Sequence, residues 1–308
     1  MMLTKHPRMK NLIEVAESVA SSRAAILIQG ENGAGKHSLA KFIHSKSQRA
    51  RQKIVSVNCS SLPGGLLEAE LFGHVKGAFV GANQDKAGKL ELAHNSTLII
   101  DDINEMSVPL QAKLLKAIQD SEVERIGSNE AIKINVRIIA TASRSLERMV
   151  REGKFREDLY YRINVIPLEI PALRERVEDI EVLAKHFVEV SCILNNKPKM
   201  KIHPEALEKL SKWKWPGNVR ELENTLERAV LLNSDVELTA AHLDIPNVEA
   251  LEDDALEPGM TIGEAERRLI LKTLEFTKQN RTKAAKLLGI SIRTLRNKIH
   301  EYRGENYL

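Results

Sequence analysis

Gly30, Glu31, Asn32, Gly33, Ala34, Gly35 and Lys36 stand between an apolar run, Ala25 to Gln29, and a helical pattern from Leu39 to His44. Glycines at this spacing let backbone N–H groups turn inward around phosphate oxygens. The helix that follows adds the positive end of its dipole, and Lys36 neutralises β/γ-phosphate charge. This is the setting of a P-loop, with ATP as the expected ligand. The next position ordinarily carries a Ser or Thr hydroxyl for magnesium, but here it is His37. Ser38 leaves the helix in another direction, so a magnesium contact from this loop is not expected. The matching half of such a site is an acid at the end of an apolar strand, which Leu98-Ile99-Ile100-Asp101-Asp102 supplies. Asp101 is expected to hold Mg2+ through water and Asp102 to orient the attacking water. An acid after a strand is also an ordinary helix cap; its pairing with Lys36 points to nucleotide hydrolysis.

A second cluster follows Gly289. Ala285, Leu288, Ile292, Leu295 and Ile299 recur at helical spacing and are expected to pack two helices together across the glycine turn. Ser291 caps the second helix, leaving Arg293, Thr294, Arg296, Asn297 and Lys298 toward solvent. Any one of these alone is an ordinary solvated basic residue. Together on a helix after a glycine turn they suit phosphate anchoring and major-groove reading of double-stranded DNA.

The elements that position these groups are legible as period and composition. Near-continuous apolar runs at 25–29, 54–57, 97–100 and 136–140, separated by helical patterns, predict a parallel sheet covered on both faces. The strand signal stops beyond Pro171, and Val177 to Leu232 reads as helices broken at Asn195 to Pro198 and at Trp215 to Gly217. The expected organisation is an α/β nucleotide-binding subdomain over 1–172, a helical lid over 173–244, an acidic linker over 245–259 and a small all-α helix-turn-helix domain over 260–308. Thr261 and Glu264 form a capping box that opens the last domain.

Composition excludes several classes. The 308 residues are 43% hydrophobic and 29% charged, and no apolar run approaches the roughly 18 residues a membrane span needs. The first ten residues lack an apolar core and a cleavage site, so a cytoplasmic protein is expected. Cys59 and Cys192 have no CxxC spacing and read as buried thiols, and the nine histidines show no ligand spacing. A net charge of +4 permits nucleic-acid binding without demonstrating it.

Glu70-Leu71-Phe72-Gly73-His74-Val75-Lys76-Gly77-Ala78-Phe79-Val80-Gly81-Ala82 resembles the signature loop of bacterial enhancer-binding proteins, the AAA+ activators of sigma-54 RNA polymerase. The resemblance continues through Val57 to Cys59, Phe155 to Arg162, Pro171 to Arg176 and Trp215 to Leu222, and the C-terminal helices are similar to a Fis-type helix-turn-helix. It implies an AAA+ fold and a ring, commonly a hexamer, with nucleotide at each subunit interface. It implies that Arg156 and Arg162 reach a neighbour's nucleotide, that Arg220 senses it from the lid, and that Asn58 switches the catalytic acid. It implies further that the loop Gly77, Ala78, Phe79, Val80, Gly81, Ala82 contacts the polymerase, with Phe79 exposed, and that the C-terminal domain dimerises on paired DNA half-sites. Against the family pattern, Val80 stands for a threonine, Asp102 for a glutamate and Ser143 for the sensor asparagine. The alternative is therefore a DNA-binding regulator that uses ATP for assembly, with little hydrolysis or without sigma-54 contact. A helicase or unfoldase is disfavoured by the Fis-like end. The module starts almost at Met1, so control is expected from a separate regulatory protein or from an N-terminal domain outside this sequence.

Overall fold

The computed structural model describes residues 2–233, 235–245, 261–277 and 279–304. The chain forms two compact units, Met1–Asp244 and Ile245–Leu308. Among the described residues no helix is long and apolar enough to cross a membrane.

The first unit is built on a five-stranded parallel sheet. Its strands are β1 (Ile26–Gln29), β2 (Val55–Asn58), β3 (Thr97–Asp101), β4 (Arg137–Ala142) and β5 (Ile166–Glu169), in the spatial order β2-β3-β4-β1-β5. Helices cover both faces because strand side chains alternate and both sides are apolar. Ile26, Ile28, Ile99 and Ile139 pack with Leu39 and Ile43 of α2 (Lys36–Ser45) and with Met9 and Ala16 of α1 (Pro7–Ser18). Leu27, Leu98, Ile100 and Ile138 pack on the other face with Leu67 and Leu71 of α3 (Gly64–Phe72) and Leu110 and Leu114 of α4 (Val108–Asp120). Truncating one of these fully buried Ile or Leu side chains to Ala costs about 2–5 kcal/mol.

Four strands match the predicted runs; β5 does not. Its sequence holds Pro167, which donates no ladder hydrogen bond and hides the strand signal. The fold accommodates it at the sheet edge, where β5 pairs only with β1. Two short antiparallel hairpins, Gly73–His74 with Lys86–Ala87 and Glu122–Glu124 with Ala131–Lys133, also lie outside the predicted elements. The lid comprises α5 (Glu178–Leu194), α6 (Pro204–Lys212) and α7 (Asn218–Leu232). It is not wholly helical as expected: Lys201–Ile202 and Glu237–Leu238 form a two-residue parallel pair, too short to carry a periodic signal.

The second unit contains α8 (Ile262–Phe276), α9 (Arg281–Leu288) and α10 (Ile292–Gly304). The capping box is present: Glu264 N–H donates to Thr261 Oγ1 at 3.3 Å and Thr261 N–H to Glu264 Oε2 at 3.0 Å. Ile270 and Leu274 of α8 join Ala284, Ala285, Leu295, Ile299 and Tyr302 in its core. Ile292, expected in that core, is 39% exposed, while Ile270 and Leu274 of α8 are buried in it. The acidic linker lies outside the described residues apart from Ile245.

Candidate nucleotide site and nucleic-acid interface

The P-loop turns between β1 and α2 on three left-handed glycines, Gly30, Gly33 and Gly35. At Gly33 the conformation and the space both demand glycine, since a Cβ would lie 2.1 Å from the Gly217 carbonyl oxygen. Lys36 opens α2 and is buried, its Nζ donating to the carbonyls of Gly30 at 2.8 Å and Glu31 at 3.1 Å. Burial pulls its pKa below the ordinary lysine value, opposed by the charges of Asp102 and Asp101. Gly33, Gly35, Lys36, Asp101 and Asp102 line a cleft of about 650 Å3 together with Asn32, His37, Asn58 and Arg220. That volume falls in the range of small-molecule sites.

Asp101 ends β3 in register with Asn58 on β2. One carboxylate oxygen accepts from the Thr141 hydroxyl at 3.1 Å; the other lies 2.7 Å from His37 Nδ1. Thr141, fully buried on the central strand β4, also accepts from the Asp102 N–H at 3.1 Å, so one hydroxyl sets both acids. Sequence reasoning missed Thr141; its only signal was a hydroxyl within an otherwise apolar strand. Ser143, which stands for the family's sensor asparagine, donates its N–H to Asn104 Oδ1 at 3.0 Å. Asp102 occupies a left-handed turn, φ 50° and ψ 50°, with its buried Oδ1 lacking a partner. Cys59 beside the acids is buried, and burial first, then Asp102 and Asp101, push its thiol up to about 12. It is an inert neutral group, as expected of a buried thiol.

The lid closes on the loop through Asn218. Its fully buried side chain accepts from the Leu173 N–H at 2.7 Å and donates to Glu31 Oε2 and the Asn32 carbonyl, both at 3.0 Å. The N-cap of α7 is Gly217, and Asn218 itself adopts φ 54°. Arg174 grips both Glu31 oxygens at 2.7 and 2.6 Å, and these bonds, then Asn218, lower the Glu31 pKa to about 2. Arg176, buried, donates to the Ala34 carbonyl at 2.8 Å and faces Asp179 at 3.7 Å. The carbonyls of Gly30, Glu31 and Ala34 and the Glu31 carboxylate, in a loop expected to bind the nucleotide, are thus tied to Lys36, Arg174 and Arg176.

Arg156 and Arg162 do not line this cleft. Arg156 is half-buried and pairs with Asp158 at 2.7 Å, while Arg162 is exposed and, among the described residues, has an outlying contact to the Ile118 carbonyl at 3.5 Å. Asn58 is exposed, its Oδ1 accepting from the Ser60 N–H at 2.8 Å and hydroxyl at 2.7 Å.

Gly77 to Ala82 close a tight turn, with Gly77 N–H donating to the Ala82 carbonyl at 2.9 Å. Val80 at its tip is wholly exposed. Phe79 is only 40% exposed and sits edge-on to His74, centroids 4.9 Å apart. Ala78 on this turn lies against Gly127 of the second hairpin.

In the second unit Asn280 caps α9 by accepting from the Lys283 N–H, and Gly289 ends the helix at φ 67°. Ser291 caps α10, accepting from the Thr294 N–H at 3.0 Å. Arg293, Arg296 and Asn297 are exposed, as expected. Lys298 is not free toward solvent: its Nζ pairs with Glu266 of α8 at 2.7 Å, since α8 passes beside that face.

A P-loop, paired acids and an interlocked lid on a β2-β3-β4-β1-β5 sheet define an AAA+ ATPase, joined here to a helix-turn-helix. The chain matches the sigma-54 interaction domain over residues 2–169, the AAA+ ATPase lid domain over 174–255 and the Fis family of bacterial regulatory proteins over 261–302. It is 46% identical to the transcriptional regulatory protein FlbD of Caulobacter vibrioides, covering 98% of this chain and 70% of that protein. It is 44% identical to the regulatory protein AtoC of Escherichia coli, covering 97% and 67%. The crystal structure of NtrX from Brucella abortus in complex with ADP superposes with a TM-score of 0.75 at 31% identity, covering 98% of this chain and 69% of that one. The chain belongs to the sigma-54-dependent transcriptional regulators, an ATPase that binds nucleotide, acts on sigma-54 RNA polymerase and carries a Fis-type DNA-binding domain.

Proposed function

We propose that this protein binds an upstream DNA site, assembles into a ring, most simply a hexamer, and couples hydrolysis at shared subunit interfaces to movement of the Gly77–Ala82 turn against promoter-bound polymerase. The observation that carries this reading is the division of the catalytic groups. Lys36, Asp101, Asp102 and Arg220 line one cleft, whereas Arg156 and Arg162 stand outside its lining, Arg162 exposed. An arginine with no strong partner at an exposed edge suits the γ-phosphate of a neighbouring copy.

The chain's own groups divide the work. Lys36 leaves its carbonyl partners for the phosphates, Asp102 orients the attacking water, Asn58 beside it biases the position of that acid, and Arg220 reports occupancy to the lid. Asp101, turned into the cleft by Thr141 and His37, fits a magnesium ion held mostly by nucleotide and water, which supplies charge neutralisation on the phosphates. In the second unit Ile262, Leu269 and Phe276 recur every seven residues on α8 and are 89%, 53% and 79% exposed. This apolar stripe supports pairing with a second copy, which would place two recognition helices on paired half-sites through Arg293, Thr294, Arg296 and Asn297.

ATP hydrolysis measured against protein concentration tests the reading. Turnover should rise cooperatively and collapse in Arg162→Ala while ATP binding is kept; turnover independent of concentration and of Arg162 would overturn it. One observation favours slow hydrolysis: Asp102 is a short acid whose backbone N–H is tied to Thr141. If Asp102→Glu gains turnover while the native chain binds ATP without hydrolysing it, ATP serves assembly instead.

A further inference from the structure

The strands of a parallel sheet all point the same way, so the nucleotide cleft at their C-terminal ends leaves the N-terminal ends free. There the first unit has a separate polar depression of about 190 Å3. Three guanidinium groups meet in it: Arg23 from the turn before β1, Arg49 from the segment after α2, and Arg137 from the first position of β4. Arg137 is 2% exposed; one terminal nitrogen donates to the Val19 carbonyl at 3.0 Å and the other to Ala20, while its buried Nε has no partner. Arg49 donates to the carbonyls of Ser96 at 2.5 Å and Asn135 at 3.0 Å, and to Asn135 Oδ1 at 2.7 Å. Arg23 is exposed. No carboxylate lines the depression, and among the described residues none of the three arginines is in an ion pair.

The charges are uncompensated. Burial lowers the pKa of both Arg49 and Arg137, and like charge adds to it, from Arg23 on Arg49 and from Arg49 on Arg137. The C-terminal ends of α1 and α2 face the same region, each carrying about half a negative charge. About one negative charge therefore opposes three positive ones, leaving roughly two unmatched. Guanidinium groups so placed call for an anion, and the fork geometry of Arg23 and Arg49 suits a tetrahedral oxyanion. The Ser22 hydroxyl, which accepts from the Ala24 N–H at 3.0 Å, retains its own proton to donate. A volume of 190 Å3 is about six times the roughly 30 Å3 share of one water. That holds an oxyanion with a few waters but is below the size of a nucleotide pocket.

We propose that this depression is a second, non-nucleotide anion site, taking a doubly charged oxyanion of the phosphate class and tying the ends of α1 and α2 to the start of β4. The site binds without chemistry, and its occupancy stabilises the ATPase unit.

The test is thermal melting of the full chain, saturated with a non-hydrolysable ATP analogue so that the P-loop is already filled. Inorganic phosphate is added against chloride of equal ionic strength. Millimolar phosphate should raise the melting temperature by about 2–4 °C beyond chloride. Arg23→Gln, which alters an exposed side chain, should fold, keep its ATPase activity and lose that rise. Arg23→Glu places a carboxylate against Arg49 and should raise the melting temperature without phosphate while abolishing the response. Glycerol phosphate in a parallel arm distinguishes the sources: a matching rise assigns the site to phosphomonoesters, no rise to the free ion. A rise equal to that in chloride, or one that persists undiminished in Arg23→Gln, would overturn the proposal.

Discussion

The nucleotide cleft and the outward edge that carries Arg156 and Arg162 belong to one unit, yet they are built in opposite ways. In the cleft, Lys36, Asp101 and the Asp102 backbone are each held by protein partners at 2.7–3.1 Å. At the edge, Arg162 has a single contact at 3.5 Å and is exposed. Preorganisation is worth most where charge develops in a water-poor site, while a group that must reach another molecule gains nothing from being held at home. The contrast teaches that one copy holds a prepared half-site and displays the other half for a neighbour.

The largest expected effect breaks this comparison directly. Arg162→Ala should lower turnover about 10³-fold or more, as loss of an arginine finger does. Mixed with Lys36→Ala, itself inactive, it should recover about a quarter of native turnover by random pairing of subunits in a closed ring. No recovery would mean that each copy completes its own site. Thr141→Val keeps the strand's volume but frees the Asp101 carboxylate and the Asp102 N–H, and turnover should fall about 10–100-fold through mispositioning, with ATP affinity read by titration nearly unchanged. Asn218→Ala leaves the Leu173 N–H unpaired beside a broken clamp; a loss of about 1–3 kcal/mol is expected in denaturant melts, together with weaker ATP binding. The smallest effect sharpens the same point. Glu31 titrates at about 2 in the fold, below its ordinary 4.5, so its contribution is present above pH 4.5 and disappears as pH falls toward 2. Because the pair is exposed, the stabilisation is under about 1 kcal/mol. The gap in melting temperature between native chain and Glu31→Gln should therefore close on acidification; a constant gap would show that the clamp acts through packing.

Much of the site was legible because its chemistry is local in sequence. A phosphate loop needs glycines and a lysine in one short run, and an acid after an apolar strand needs only that strand to announce it. The capping box at Thr261 and the cap at Ser291 were readable for the same reason. Thr141 was not, because its role depends on β4 lying beside β3, a pairing across 40 residues. The pairing of Lys298 was not legible either, because its partner Glu266 lies on α8, 32 residues away in sequence.

The sequence by itself determined the phosphate loop, the two acids, the apolar strands that position them and the basic helix after the glycine turn, since each rests on a short-range pattern of period and spacing. Tertiary structure alone decided which polar groups meet. It set Thr141 against Asp101 and the Asp102 backbone and Asn218 between lid and loop, tied Glu31 to Arg174 and Ala34 to Arg176, and gathered three arginines where the strands begin. These juxtapositions come from parallel crossover topology, in which residues far apart in the chain share one sheet end.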